Sequence, residues 1–165
     1  MQLAEFNALA ADDAARAVAV WAAIPEWIDA VVAARPYASV DVAHARADLL
    51  AREWTDADLD AALSQHPRIG QKSTGSGAEA VASAREQSSM AAASASTAEA
   101  MATANADYEA RFGRVFLIRA GGRSAEEMLT EARRRLRNDD ATEAAEARDQ
   151  LRQIALLRLR TTLED

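Results

Sequence analysis

From Ala78 to Ala110 the chain runs for more than thirty residues without a glycine or a proline, and the stretch is rich in Ala, Ser and Thr. Its composition would suit a low-complexity linker. However, the absence of a breaker, with Glu79, Glu86, Glu99 and Glu109 spaced among alanines of high helix propensity, favours one or two helices. The rest of the chain has the same character: 50% of residues are hydrophobic and only 5% aromatic, so the apolar surface comes in small pieces suited to close helix–helix contact. Val115-Phe116-Leu117-Ile118 is the one short run that reads as extended, and a single such run cannot form a sheet. The expected fold is therefore all-α. It is read as one domain over residues 1–165, an irregular bundle of about six to eight helices.

The helix boundaries follow from local chemistry. Asp12 and Asp13 suit a helix start, and the pattern from Ala14 to Ala34 is interrupted near Pro25. Arg35-Pro36-Tyr37 breaks it again, after which Ser39 or Asp41 can cap a helix through Trp54. A short helix from about Asp56 to Gln65 must end at Pro67, which puts His66 at or just past a helix C-terminus. Residues 70–77 form a loop, with Gln71 before Lys72 and His66 at the position where a Walker loop needs glycine. Gly113 can close the alanine-rich helices. Ser124-Ala125-Glu126-Glu127 is a capping box opening a helix to about Arg137, and Asn138-Asp139-Asp140 turns into a last helix ending near Thr162.

Charge and residue usage exclude several functions. The formal charge is −7, with both signs interspersed, so the clustered basic face that nucleic acid requires is absent. There is no cysteine, which removes disulfides, thiolate metal sites and a cysteine nucleophile. The residues from Met1 to Ala10 lack a basic n-region, and no stretch reaches the about 18 apolar residues of a membrane span, so a soluble, cytoplasmic protein is expected. Two histidines 22 residues apart give no metal-ligand spacing, and no serine sits in a Gly-x-Ser-x-Gly elbow.

Three positions remain that could carry chemistry. His66 either caps its helix or, with its pKa raised by the helix end and a nearby carboxylate, donates a proton near neutral pH. His44, inside a helix without special neighbours, is read as structural or exposed. Ser83, Glu86 and Gln87 share one helix face, which is either an ordinary Ser-x-x-Glu capping box or a hydroxyl, carboxylate and amide presented together. Arg158 lies within about 60° of Leu151, Ile154, Ala155 and Thr162 around the last helix, inside an apolar stripe. Its guanidinium then needs an anion, supplied by a protein carboxylate or a ligand, unless it snorkels to the surface. Arg133, Arg134, Arg135 and Arg137 are read as a solvated face.

These sites occur in an order that resembles the 2-oxo-4-hydroxy-4-carboxy-5-ureidoimidazoline (OHCU) decarboxylase family. The resemblance extends over nearly the whole chain. It comprises Phe6-Asn7-Ala8-Leu9, Arg35-Pro36-Tyr37, His66-Pro67-Arg68-Ile69-Gly70, Ser83-x-x-Glu86-Gln87, Asn105-x-x-Tyr108-x-x-Arg111-Phe112-Gly113, Phe116-Leu117-Ile118, Gly122-Arg123-Ser124 and Arg158-Leu159. The most specific part is His-Pro-Arg-Ile-Gly, followed by Glu86 twenty residues after His66.

The resemblance implies a cofactor-free decarboxylase of the urate-degradation (ureide) pathway that binds a small ureido-imidazoline, works as a homodimer and yields (S)-allantoin. In it His66 is the catalytic proton donor and Glu86 its hydrogen-bonding partner. Pro67, Ser83, Ala84, Arg85, Glu86, Gln87, Phe116, Leu117, Ile118, Arg119, Ala120 and Arg158 are implied substrate contacts, with unpaired main-chain groups of Phe116 to Ala120 reading the ring. Three residues depart from the family pattern: Arg119 where an uncharged residue is common, Ser89 for a common glycine, and Ala104 for the leucine usually before the asparagine. Two rival readings stay open on the residues alone, an enzyme of the same fold acting on a related ureide and a non-catalytic helical interaction module.

Overall fold

Serine hydroxyls start three of the helices. The side chains of Ser39, Ser94 and Ser124 accept hydrogen bonds from the main-chain N–H groups of Val42, Thr97 and Glu127, satisfying donors that a helix start leaves open. At Ser124 the bond is reciprocated, because the Glu127 carboxylate accepts from the Ser124 N–H at 2.7 Å and completes the expected capping box. Pro25 occupies a first-turn position of its helix, and Gly113 takes the left-handed conformation (φ 69°) that ends another.

The computed structural model describes residues 1–64, 68–70 and 77–165. Among them the α-helices are α1 (Leu3–Ala8), α2 (Ala11–Ala19), α3 (Pro25–Ala33), α4 (Val40–Ala51), α5 (Asp56–Leu63), α6 (Ala78–Glu86), α7 (Ala95–Phe112), α8 (Ala125–Arg135) and α9 (Asp140–Thr162). A 3-10 helix, Ser88–Ala92, lies between α6 and α7. The described residues contain no β-strand, in agreement with the all-α expectation; α1 is the helix that sequence patterning did not foresee. No helix among them is long and apolar enough to cross a membrane.

Two compact units divide the chain. The first comprises residues 1–62 and 151–165, and its core is aromatic: Phe6 packs on Trp21 with ring centroids 5.6 Å apart, and Trp27 meets Trp54 edge-on at 5.4 Å. Asn7 clamps the main chain of Tyr37 in both directions. Its amide donates to the Tyr37 carbonyl and accepts from the Tyr37 N–H, each at 2.9 Å. Arg35 returns the favour by donating to the carbonyls of Phe6 (2.7 Å) and Leu9 (3.0 Å). This mutual clamp gives a physical reason for the Phe6-to-Leu9 and Arg35-to-Tyr37 motifs, which hold the turn before α4 against the end of α1.

The second unit spans residues 63–150. There α7 and α8 pack around Met101, Ala104, Tyr108, Phe116, Ile118, Met128 and Ala132, all buried. Arg135 belongs to this interior and not to a solvated face: it is only 1% exposed. Met128, Ala132 and Arg135 stand four and three residues apart, so the helix turns all three to the same side. Arg133 and Arg137 are exposed as expected, while Arg134 is half-buried between Glu131 and Glu146.

Removing the Asn7 clamp leaves a main-chain donor and acceptor of Tyr37 without partners. Asn7→Ala should therefore lower the unfolding free energy by about 2 kcal/mol, measured by urea denaturation.

Candidate active site

His66 and Pro67 lie outside the described residues, as does the 71–76 part of the expected loop. The remainder of the His-Pro-Arg-Ile-Gly segment is held by three side chains. The Arg68 guanidinium makes a two-pronged ion pair with Glu109 of α7, its Nη2 donating to Oε2 at 2.7 Å. The carbonyl of Ile69 accepts from Asn105 Nδ2 at 2.9 Å, in the interior, and the Ile69 side chain joins the α7–α8 core. The Gly70 N–H donates to Gln87 Oε1 at 3.0 Å. Gly70 has φ +81°, which calls for glycine, and a Cβ there would meet Met90 Cε at 3.2 Å, so that methyl would have to give by a few tenths of an ångström.

Ser83 and Glu86 lie on α6, which begins at Ala78. Ser83 is thus mid-helix rather than a helix cap, and the capping-box reading fails; its hydroxyl, 3% exposed, donates to Glu79 Oε1 at 3.0 Å. Glu86 and Gln87 are half-buried at the helix end, whereas Ala84 and Arg85 are exposed on the other side of the turn. The bond from Gly70 to Gln87 brings the two motifs together.

Phe116 to Ala120 forms neither helix nor strand and is buried except at Arg119. Part of its main chain is already used by the protein. The Leu117 carbonyl accepts from Arg135 Nη1 at 2.6 Å, the Arg119 N–H donates to Gln150 Oε1 at 2.9 Å, and the Arg119 carbonyl accepts from Arg123 Nε at 3.1 Å. Among the described residues both main-chain groups of Phe116 and Ile118, and the N–H groups of Leu117 and Ala120, take no such partner, so the reading of unpaired groups narrows to these. Arg119 Nε is buried and finds no hydrogen-bond partner among the described residues.

Arg158 falls in the first unit. It is 3% exposed, as its place in the apolar stripe predicted, and its Nη1 donates to the Val20 carbonyl at 2.9 Å. His44 is on α4 of the same unit, and its pKa lies below the ordinary imidazole value, because burial and then the Arg160 cation oppose its charge.

Sequence reasoning missed Asn105, Glu109 and Gln150 as fasteners of these segments. The signal for Asn105 was present, an amide at a buried helix position, which has to find a partner. A cavity of about 540 Å³ in the second unit is bounded by Arg68, Ile69, Gly70, Asn105 and Glu109 on one side and by Met90 with Ala98, Ala102 and Ala106 on the other. Arg68 to Gly70 follow the predicted site residues His66 and Pro67 in the chain, and none of Ser83 to Gln87, Phe116 to Ala120 or Arg158 lines the cavity.

Solved structures share this fold, 11 chains in all. One is a crystal structure of OHCU decarboxylase in the presence of (S)-allantoin, which is 26% identical, covers 87% of this chain and 94% of its own, and superposes with a TM-score of 0.73. Another is (S)-allantoin synthase, 13% identical with a TM-score of 0.71, covering 99% of this chain, which spans only 54% of that longer chain. No curated protein matches the sequence. The family match and the fold shared with OHCU decarboxylase define an all-α carboxy-lyase. The OHCU decarboxylase family model matches residues 7–160, and the chain belongs to that family.

The Ile69 and Gly70 anchors give a direct test. Asn105→Ala leaves a buried carbonyl without its donor and should cost about 1–3 kcal/mol, and Gly70→Ala should cost about 1–2 kcal/mol through backbone strain; both are read from denaturation midpoints.

Proposed function

We propose that the chain converts 2-oxo-4-hydroxy-4-carboxy-5-ureidoimidazoline to (S)-allantoin, with His66 as proton donor and Glu86 as the group that orients it. The observation that carries this reading is the Gly70–Gln87 hydrogen bond, which ties the segment following His66 to the end of the helix bearing Ser83 and Glu86. Pro67, Ser83, Glu86, Gln87 and the segment from Phe116 to Ala120 are the substrate contacts in this reading. Ala84 and Arg85, exposed on α6, contribute least, and Arg158 serves as an anion partner.

The chemistry fits a site without an electron-accepting cofactor. The carbon that loses carboxylate stands beside a ring carbon–nitrogen double bond. When the carbon–carboxylate bond breaks, its electron pair forms a carbon–carbon double bond, and the former C=N pair moves to nitrogen, which takes a proton. Carbon dioxide departs and leaves an enol. A proton delivered to the ureido-bearing carbon from one face, with loss of the enol proton, sets the product's configuration. The protein's tasks are orientation, stabilisation of the developing charge and one-sided protonation. A homodimer accords with the family resemblance and a cytoplasmic location with the sequence reading, and sedimentation of the purified protein at micromolar concentration should give twice the chain mass.

The test generates the substrate in situ from urate and follows allantoin by circular dichroism, since uncatalysed decay gives a racemate. An optically active signal that depends on protein is expected, and His66→Ala should lower kcat by about a hundredfold or more. Racemic product at the uncatalysed rate from folded wild-type protein would end this reading. A second check uses the two histidines. His44 should titrate below the ordinary value in an NMR experiment, and His44→Gln should remove that signal while leaving the pH–rate profile unchanged.

A further inference from the structure

We propose that Arg135 is a positioning residue of the decarboxylation site, its guanidinium fixing Phe116 and Leu117 so that the main chain of Ile118 meets the substrate at a set place. The inference rests on the reading of Phe116 to Ala120 as substrate contacts. Arg135 Nη1 donates to the Leu117 carbonyl at 2.6 Å, and the guanidinium carbon stands 4.9 Å from the centre of the Phe116 ring. One side chain therefore grips two successive residues, one by its carbonyl and one by its ring.

The grip is itself rigid. Arg135 Nε donates to Glu143 Oε1 at 2.9 Å, and Nη2 bonds the same carboxylate, with both side chains only 1% exposed. Glu143 in turn accepts from Asn138 Nδ2 at 2.8 Å and from the Tyr108 hydroxyl, while the Tyr108 ring meets Phe116 edge-on at 5.2 Å. Burial, and then the Glu143 carboxylate, raise the Tyr108 pKa well above its ordinary value, so the phenol stays a donor at any working pH. A segment with no strand partner thereby acquires the fixed geometry that a sheet would otherwise supply, and Gln150 and Arg123 hold Arg119, two residues beyond Leu117. Ile118, between the two held residues, keeps its own N–H and C=O free of protein partners among the described residues.

Arg135→Met alone strands a buried carboxylate, so the informative variant is Arg135→Met with Glu143→Gln, which removes both charges and leaves an amide oxygen for the Tyr108 hydroxyl. Wild type, this double variant, Arg135→Lys and Tyr108→Phe are compared for thermal midpoint, kcat, KM and the enantiomeric excess of the allantoin formed. Tyr108→Phe keeps the ring and the Leu117 hydrogen bond, and serves as the stability control.

The expected result is a folded double variant whose kcat/KM falls about tenfold or more, with reduced enantiomeric excess, while Tyr108→Phe loses stability and keeps wild-type kinetics. If the double variant does not fold, Arg135→Lys decides. It keeps the ion pair but has no second arm for Leu117, so the same kinetic loss is expected, and wild-type constants would refute the proposal. A folded double variant with wild-type kinetics and enantiomeric excess would refute it too, as would an equal kinetic loss in Tyr108→Phe. Inactive wild-type protein would instead count against the decarboxylase reading.

Discussion

A guanidinium taken out of water has to find acceptors for its donors and an anion for its charge, and in the second unit that demand organises much of what surrounds Arg135. Glu143 supplies the charge, Leu117 a carbonyl, and the rings of Phe116 and Tyr108 their faces. The partners come from three elements besides its own, so α7, α8, the start of α9 and the loop after α7 are tied at one point. Apolar residues of similar volume often give a comparable or better contribution to stability than a buried ion pair. Here the pair adds direction: it holds an irregular main chain at a defined place, which non-directional packing of alanines and leucines would not do.

The helices were legible because their signals are local. Ser39, Gly113 and the Ser124 capping box act within one turn, and Pro25 acts on its own helix, so a single sequence suffices to place them. The alanine-rich stretch divides where Gln87 and Ala93 flank a 3-10 turn, and there the sequence offers no breaker to read. Arg135 was misplaced for a related reason. Four arginines among five residues look like a charged surface, and only the register of Met128 and Ala132 reveals that one of them turns inward. Register is weak evidence when the inward residue is the most polar in the helix.

The site was legible in its residue types and much less in its scaffolding. His-Pro-Arg-Ile-Gly and Ser-x-x-Glu-Gln are recognisable as motifs, and the bond between Gly70 and Gln87 makes them neighbours. Nothing in the spacing announces that Asn105 serves the Ile69 carbonyl, that Glu109 pairs with Arg68, or that Gln150 takes the Arg119 N–H. These are pairings between residues 31 to 41 positions apart. Such contacts become visible only once the chain is folded, because a side-chain amide or carboxylate carries no mark of the partner it will meet.

The three tryptophans, Trp21, Trp27 and Trp54, all lie in the first unit, and the second contains none. Intrinsic fluorescence excited at the indole band therefore reports on the half of the chain that does not carry Glu86 or Arg135. An unfolding curve recorded that way could look unchanged while the other half had already come apart. Tyr108, packed against Phe112 and Phe116, is the second unit's only tyrosine, and its near-ultraviolet dichroism gives that half an optical signal of its own.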